Sequence, residues 1–229
     1  MVQMSGRLVL PALAVLSAAL PVAAAMRARP LSLSLRLVVL YSAVALVEGV
    51  VLGYLSSQNQ RNLWLVHLFT PFEATVLLLA MSRWQLRELA RLTVVLCIPA
   101  FLVLWAVLTV TTESLAEFPQ YAKTVEAILL VAVAAYTLVT RSRNLIVPIM
   151  SQSWFWVTSG VLIYFSFLAI LNPVANMLLQ RRELGLMLWV FGVNAVLIIV
   201  HNLFFAWAIR CQQERTRSGG SSLPQSSLA

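Results

Sequence analysis

Long apolar runs, separated by short polar segments, occupy almost the whole chain. Seven of them reach the roughly 20 residues that a helix needs to cross the hydrocarbon of a membrane. The alternation typical of a membrane β-barrel is absent, and lipid offers no partner to open backbone groups. The pattern therefore predicts an all-α membrane protein, a seven-helix transmembrane bundle. The predicted spans are about 7–26, 35–55, 62–82, 89–110, 121–140, 148–171 and 184–210.

The polar segments between the spans are too short to fold as separate domains. The longest, around 111–120, contains Glu113 and Glu117. The segment 212–229 is rich in Ser and Gly, which predicts a disordered tail. We therefore expect a single transmembrane domain over 1–211 and no kinase, nucleotide-binding or DNA-binding domain.

Composition agrees with a membrane location and argues against a nucleic-acid partner. The chain is 61% hydrophobic and 10% charged, whereas a soluble domain has about 25% charged residues. The net charge of +8 would suggest nucleic acid in a soluble protein. Here the arginines lie at the ends of the spans, so membrane lipids are the expected partners.

The basic residues predict the orientation of the bundle. Cytoplasmic ends of spans are enriched in Lys and Arg. With the N-terminus outside, eleven of the 16 basic residues face the cytoplasm, which predicts an N-out, C-in topology. Cleavage of a signal peptide after Ala25 would reverse this distribution and is disfavoured. The eleven are Arg27, Arg29, Arg36, Arg83, Arg87, Arg91, Arg141, Arg143, Arg210, Arg215 and Arg217.

Four ionisable residues inside the spans are candidates for ligand binding or proton coupling: Glu48, His67, Glu73 and Glu126. Charged groups in hydrocarbon are costly, which makes each a functional candidate. At 1.5 Å per residue, the first, second and fourth lie about 8–9 Å below the outer surface, and Glu73 lies about 17 Å below it. If their faces converge, they form a polar funnel open to the outside.

Two of these candidates also have a structural interpretation. A desolvated Glu73 can act as a neutral hydrogen-bond donor, and Glu126 can pair locally with Lys123, three residues earlier. Spans six and seven carry a further stripe of polar residues, for which bonding between helices is the favoured role. The stripe consists of Gln152, Ser159, Ser166, Asn194 and His201.

Small residues on the second span indicate close helix packing. Ala45, Gly49 and Gly53 recur every four residues, a spacing that lets helices approach closely. We favour packing within the bundle over a dimer interface. No register aligns the first three spans with the last three, so the internal repeats of many transporters are not evident.

Several chemistries lack the residues that they need. The only lysine, Lys123, is not on span seven, which excludes a typical retinal protein. His67 and His201 differ in depth by about 17 Å, too far for shared haem ligation. No motif for zinc or serine hydrolysis occurs. We therefore assign no catalytic residue, metal or cofactor.

Three segments together resemble uncharacterised bacterial seven-span membrane proteins. The segments are Pro71–Glu73, Trp154–Phe165 and His201–Ala206. The resemblance implies the bacterial inner membrane and draws attention to Glu73, Trp156, Ser159, Tyr164 and Asn202, but it carries no activity.

The leading functional hypothesis is a sensory or signalling module. It would bind a small or lipidic ligand in an outward-facing polar pocket and act through a separate protein on the cytoplasmic side. The alternative is a small-solute or proton-coupled transporter that uses Glu73. A lipid-modifying intramembrane enzyme, with His67 and a glutamate as acid and base, and a structural subunit are the remaining hypotheses.

Overall fold

The computed structural model describes residues 2–28, 30–58, 60, 62–115, 118–143, 148–181 and 183–219. Most of these residues belong to eight α-helices and one short 3-10 helix, Ile149–Ser151, and none of them forms a strand. The α-helices are α1 (Val2–Ser17), α2 (Ala19–Arg27), α3 (Leu33–Ser57), α4 (Leu63–Ser82), α5 (Glu88–Thr111), α6 (Gln120–Ser142), α7 (Ser153–Gln180) and α8 (Leu184–Gly219).

Seven helical segments are long and apolar enough to cross a membrane, as the sequence predicts. The first consists of α1 and α2 in series, and each of the other six is a single helix. The exposed surfaces of these helices remain apolar, with Val110, Leu89 and Trp189 each at least three-quarters exposed. Exposure of so much apolar surface to water would be unfavourable. These features indicate a multi-pass membrane protein.

The first span is interrupted at Ala18. Pro21 lacks an N–H, and its ring would clash with the carbonyl of Ser17 in a continuous helix. The Ser17 hydroxyl instead donates to the Ala14 carbonyl at 2.6 Å. Asn202 of α8 donates to the same hydroxyl oxygen at 2.8 Å, so the break is held by α8.

The helices follow one another around the bundle. α8 packs against α7 on one side and against α1 and α2 on the other, and α3 continues the ring from α2 to α4. α4 contacts α6, and α6 contacts α7, which closes the ring. α5 lies outside, against α4 and α6. α4 is therefore central, and half of the residues in its most apolar stretch are buried inside the bundle.

One end of the bundle, here called the arginine-rich end, gathers the α2–α3, α4–α5 and α6–α7 connections. Arg141 Nε donates to the Trp84 carbonyl at 2.6 Å, which ties α6 to the second of these connections. Gln212 and Gln213 of α8 donate to the carbonyls of Pro30 and Arg27. Segments predicted to lie in the cytoplasm thus meet at a single end.

α8 extends beyond the predicted last span. Residues 212–219, expected to belong to a disordered tail, continue α8 to Gly219. Gln, Glu and Arg between Gln212 and Arg217 favour helix, and the bonds of Gln212 and Gln213 to the α2–α3 connection hold its start. Residues 220–229 lie outside the described part of the chain.

Candidate functional site

Lys123 occupies the first turn of α6, and its side chain is directed into the bundle. The side chain is 10% exposed. Its Nζ lies 2.5 Å from Oε2 of Glu73 on α4 and 3.0 Å from Oε2 of Glu126 on α6. A lysine near the end of a span often extends its ammonium towards the membrane surface. Here the ammonium pairs with two carboxyl groups instead.

Tyr41 of α3 completes this group. Its hydroxyl donates to Oε1 of Glu73 at 2.7 Å, so both oxygens of that carboxyl are engaged. Lys123, Glu73, Glu126 and Tyr41 are called the ion cluster below. It joins α3, α4 and α6 through charge-assisted contacts, which are stronger than neutral hydrogen bonds. Phe69 borders it, with Lys123 Nζ 5.6 Å from the ring centroid, a favourable position for a cation.

The ion cluster holds more acidic than basic groups. Glu126 is fully buried, and its Oε1 receives no hydrogen bond from the described donors. Its carboxyl also lies close enough to that of Glu73 to interact with it. Two neighbouring carboxyls and one ammonium can be neutral together only if a proton or another cation is present. The arrangement is therefore chemically suited to exchange a proton or a small cation.

Two further residues lie near the ion cluster. Glu48 of α3 interacts electrostatically with Lys123 and Glu73, and it is only partly buried. The Tyr164 hydroxyl of α7 is within electrostatic range of the ion cluster and of Glu48. Glu48 is therefore the most exposed carboxyl of the set.

Aromatic rings connect the ion cluster with α8. The His201 ring lies 6.0 Å from the Tyr41 ring and 4.9 Å from the Tyr164 ring, centroid to centroid. Phe205, one turn further along α8, lies 4.0 Å from His201 and 5.9 Å from Tyr41. These four residues are called the aromatic bridge. Close packing of this kind transmits displacement because it leaves little free volume.

The structure brings together three of the four ionisable residues singled out from the sequence. Glu73 and Glu126 share Lys123, and Glu48 lies at the edge of the ion cluster. His67 is fully buried on the same helix as Glu73, nearly two turns earlier. The funnel expected from the sequence is closed over the Glu73 and Glu126 carboxyls, because Glu73 is 3% exposed and Glu126 is fully buried.

The polar stripe predicted on spans six and seven is divided among different environments. Gln152 is buried at the arginine-rich end, just before α7, and His201 is buried in the aromatic bridge. Ser159, Ser166 and Asn194 are only partly buried. The most buried face of α7 consists mainly of apolar side chains and includes Val157, Thr158, Val161 and Phe165.

His201 has an unusual polar environment. Neither ring nitrogen makes a hydrogen bond of good geometry with the described residues, although the ring contacts the Gly160 backbone. Gly160 permits this approach, since a Cβ there would lie 3.0 Å from Phe204 Cβ and 3.6 Å from His201 Nδ1. His201 is therefore held mainly by aromatic packing.

The local Lys123–Glu126 pair was predicted from the sequence, whereas the contacts of Lys123 and Tyr41 with Glu73 were not. These contacts depend on the packing of three helices that are distant in sequence. One feature of the sequence pointed to a buried position for Lys123, the only lysine of the chain. At helical spacing it lies on the same face of α6 as Ala127 and Leu130, which are buried.

Among the described residues, no group of three His, Cys, Asp or Glu side chains could hold a metal ion. The ion cluster itself contains its own ammonium in the position that a cation would take between two carboxylates. No family model, curated protein or solved structure matches the chain.

Proposed function

We propose that this protein is a sensory membrane module. Its input is a change of charge or occupancy at the ion cluster, and its output is a displacement of α8 that a separate protein recognises at the arginine-rich end. The observation that carries the proposal is the sharing of one lysine by two buried carboxyls from different helices. Binding of another cation would change the contacts between α4 and α6.

The composition of the ion cluster indicates the ligand class. Together with Glu48, it has three carboxyls and one ammonium, so a proton or a small organic cation complements it better than an anion does. Glu48 is the most accessible of the three, and a ligand would meet it first. In the orientation predicted from the arginines, this ligand arrives from outside the cell.

The aromatic bridge supports a path from input to output. Tyr41 contacts Glu73 through its hydroxyl and His201 through its ring. A change in the Glu73 interaction therefore acts on a side chain that also packs against α8. α8 continues to the arginine-rich end, where Gln212 and Gln213 bind the α2–α3 connection. Coupling requires that the two states of the ion cluster favour different positions of α8.

A spin-label distance measurement tests this coupling. The native cysteines, Cys97 and Cys211, are replaced by alanine. Spin labels are then attached to cysteines that replace Arg210 on α8 and Arg87 in the α4–α5 connection, both exposed. We expect Glu73→Gln to shift the distance distribution between the labels.

Two further variants complete the distance experiment. Glu88→Gln, at an exposed position of α5, removes the same charge away from the ion cluster and should leave the distribution unchanged. Tyr41→Phe keeps every carboxyl but breaks the contact with Glu73, and should shift the distance as Glu73→Gln does. Unchanged distances in both Glu73→Gln and Tyr41→Phe would contradict the proposal.

A second candidate function is proton-coupled transport, which the excess of carboxyls over ammonium favours. In transporters, a buried carboxyl near the middle of the membrane often carries the coupling proton. Protein reconstituted in liposomes with an internal pH-sensitive dye would then move protons under an imposed potential, and Glu73→Gln would abolish the flux. A flux equal to that of empty liposomes excludes this alternative and leaves the sensory proposal in place.

A further inference from the structure

A second polar site lies at the arginine-rich end, away from the ion cluster. A cavity of about 390 Å³ opens there between the α2–α3, α4–α5 and α6–α7 connections and α8. This volume is in the range of about 300–1,000 Å³ that small-molecule sites occupy. Its lining includes Ser32, Trp84, Arg141, Ser153, Trp154 and Gln212.

Arg141 is the residue that gives this cavity its chemistry. Its Nε donates to the Trp84 carbonyl at 2.6 Å, and its guanidinium carbon lies 5.8 Å from the centroid of the Trp154 ring. These two contacts fix the plane of the guanidinium. Among the described residues, this is the only hydrogen bond that the group makes, so its terminal nitrogens remain available as donors.

The described lining has no counter-charge for Arg141. None of the described residues that line the cavity is acidic, and the only glutamate of α8, Glu214, is not among them. The other polar groups are neutral. The hydroxyls of Ser32 and Ser151 already donate to other groups, whereas the Ser153 hydroxyl makes no hydrogen bond with the described residues. A fixed guanidinium and such a hydroxyl, with no carboxylate in the described lining, are suited to an anion.

We propose that this cavity binds a phosphate group. A planar guanidinium presents paired donors that match phosphate oxygens, and the Ser153 hydroxyl adds a further donor. The cavity lies at the end of the spans, which is the depth of phospholipid headgroups if that end meets the membrane surface. The group is therefore carried either by an anionic phospholipid or by a soluble phosphomonoester. Occupancy of the site would tie the α6–α7 connection to α8.

Native mass spectrometry of the purified, delipidated full chain tests this assignment. The protein is titrated with phosphatidylglycerol and, separately, with a glucosyl diacylglycerol that lacks phosphate. We expect retention of the phospholipid to exceed that of the glycolipid. Arg141→Gln should weaken phosphatidylglycerol binding at least about tenfold, since it removes a charge-assisted contact.

Two further variants distinguish specific binding in the cavity from nonspecific binding to charge on the protein surface. Arg143→Gln removes an exposed arginine two residues away and should leave binding within about twofold, because exposed charges contribute little. Ser153→Leu fills the cavity while it keeps the Arg141 contacts with Trp84 and Trp154, so it should also weaken binding. Ser153→Leu decides the question if Arg141→Gln does not fold.

Competition with glycerol 3-phosphate distinguishes the two sources of the phosphate. Displacement of the lipid shows that the phosphate alone is recognised, whereas binding of phosphatidylglycerol without competition assigns the site to the lipid. Unchanged binding in both Arg141→Gln and Ser153→Leu overturns the proposal. Equal losses in Arg141→Gln and Arg143→Gln also overturn it, since they would reflect diffuse charge at the membrane surface.

Discussion

Removal of the Lys123 ammonium is the most informative perturbation of the ion cluster. Lys123→Met keeps a long, unbranched side chain of similar size but removes the positive charge. It leaves the carboxyls of Glu73 and Glu126 close together with no cation between them. The hydroxyl of Tyr41 remains to satisfy one oxygen of Glu73. We therefore expect a large loss of stability from this single substitution.

The contact distances set the size of this effect. At an effective dielectric constant of about 20, the contacts at 2.5 Å and 3.0 Å each have a Coulomb energy of roughly 6 kcal/mol. The cost of removing the ions from water, several kcal/mol for each, offsets most of this. Truncation of one partner of a buried pair costs about 3–5 kcal/mol. Glu73→Gln leaves Lys123 with Glu126 and should cost less, about 1–3 kcal/mol.

A mutant cycle in mixed micelles measures these values. The free energy of unfolding is obtained by titration with a denaturing detergent, monitored by tryptophan fluorescence. Lys123→Met combined with Glu73→Gln and Glu126→Gln removes all three charges and should be at least about 2 kcal/mol more stable than Lys123→Met alone, since no unpaired charge remains. A Lys123→Met protein within 1 kcal/mol of the original, or a triple variant no better than the single one, would refute the reasoning.

Two further predictions use matched residues of the chain. Tyr41→Phe should lower the free energy of unfolding by about 1.5–3 kcal/mol, because it removes a bond to a carboxylate; Tyr54→Phe, exposed on the same helix, should change it by less than about 0.5 kcal/mol. Gly49→Ala should destabilise by about 1–3 kcal/mol, since its Cβ would lie 2.8 Å from Val15. Gly53→Ala meets nothing within 4 Å and should be neutral or stabilising. Both pairs are compared by the same detergent titration.

The fold could be predicted from the sequence because membrane spans depend mainly on local composition. All seven apolar runs became helical segments of spanning length. The break at Ala18 was not predicted, although Pro21 was its visible cause. The extension of α8 to Gly219 was also not predicted. The extension begins with Gln212 and Gln213, which bond to Ser32 and to the Arg27 carbonyl, 180 or more residues earlier in the chain.

The candidate site was only partly predictable, since its contacts connect helices that are distant in sequence. The cost of a charge in lipid singled out Glu73 as a functional candidate, and the structure pairs it with Lys123 and Tyr41. Lys123 lies at the outer end of the predicted span 121–140, which suggested a position near the membrane surface. Its long side chain nevertheless reaches Glu73, 50 residues away. The contact of Tyr41 with Glu73 depends on the relative rotation of α3 and α4, which no local pattern determines.

The central claim is that the one lysine of this chain is shared by two buried carboxyls. The chain has a single lysine, so protein labelled with ¹⁵N at lysine Nζ and ¹³C at the glutamate carboxyls gives one nitrogen signal. Solid-state NMR in lipid should show dipolar contacts from this nitrogen to two carboxyl carbons within about 4 Å, and Glu73→Gln should remove one of them. A lysine nitrogen without a carboxyl carbon at that distance would contradict the account.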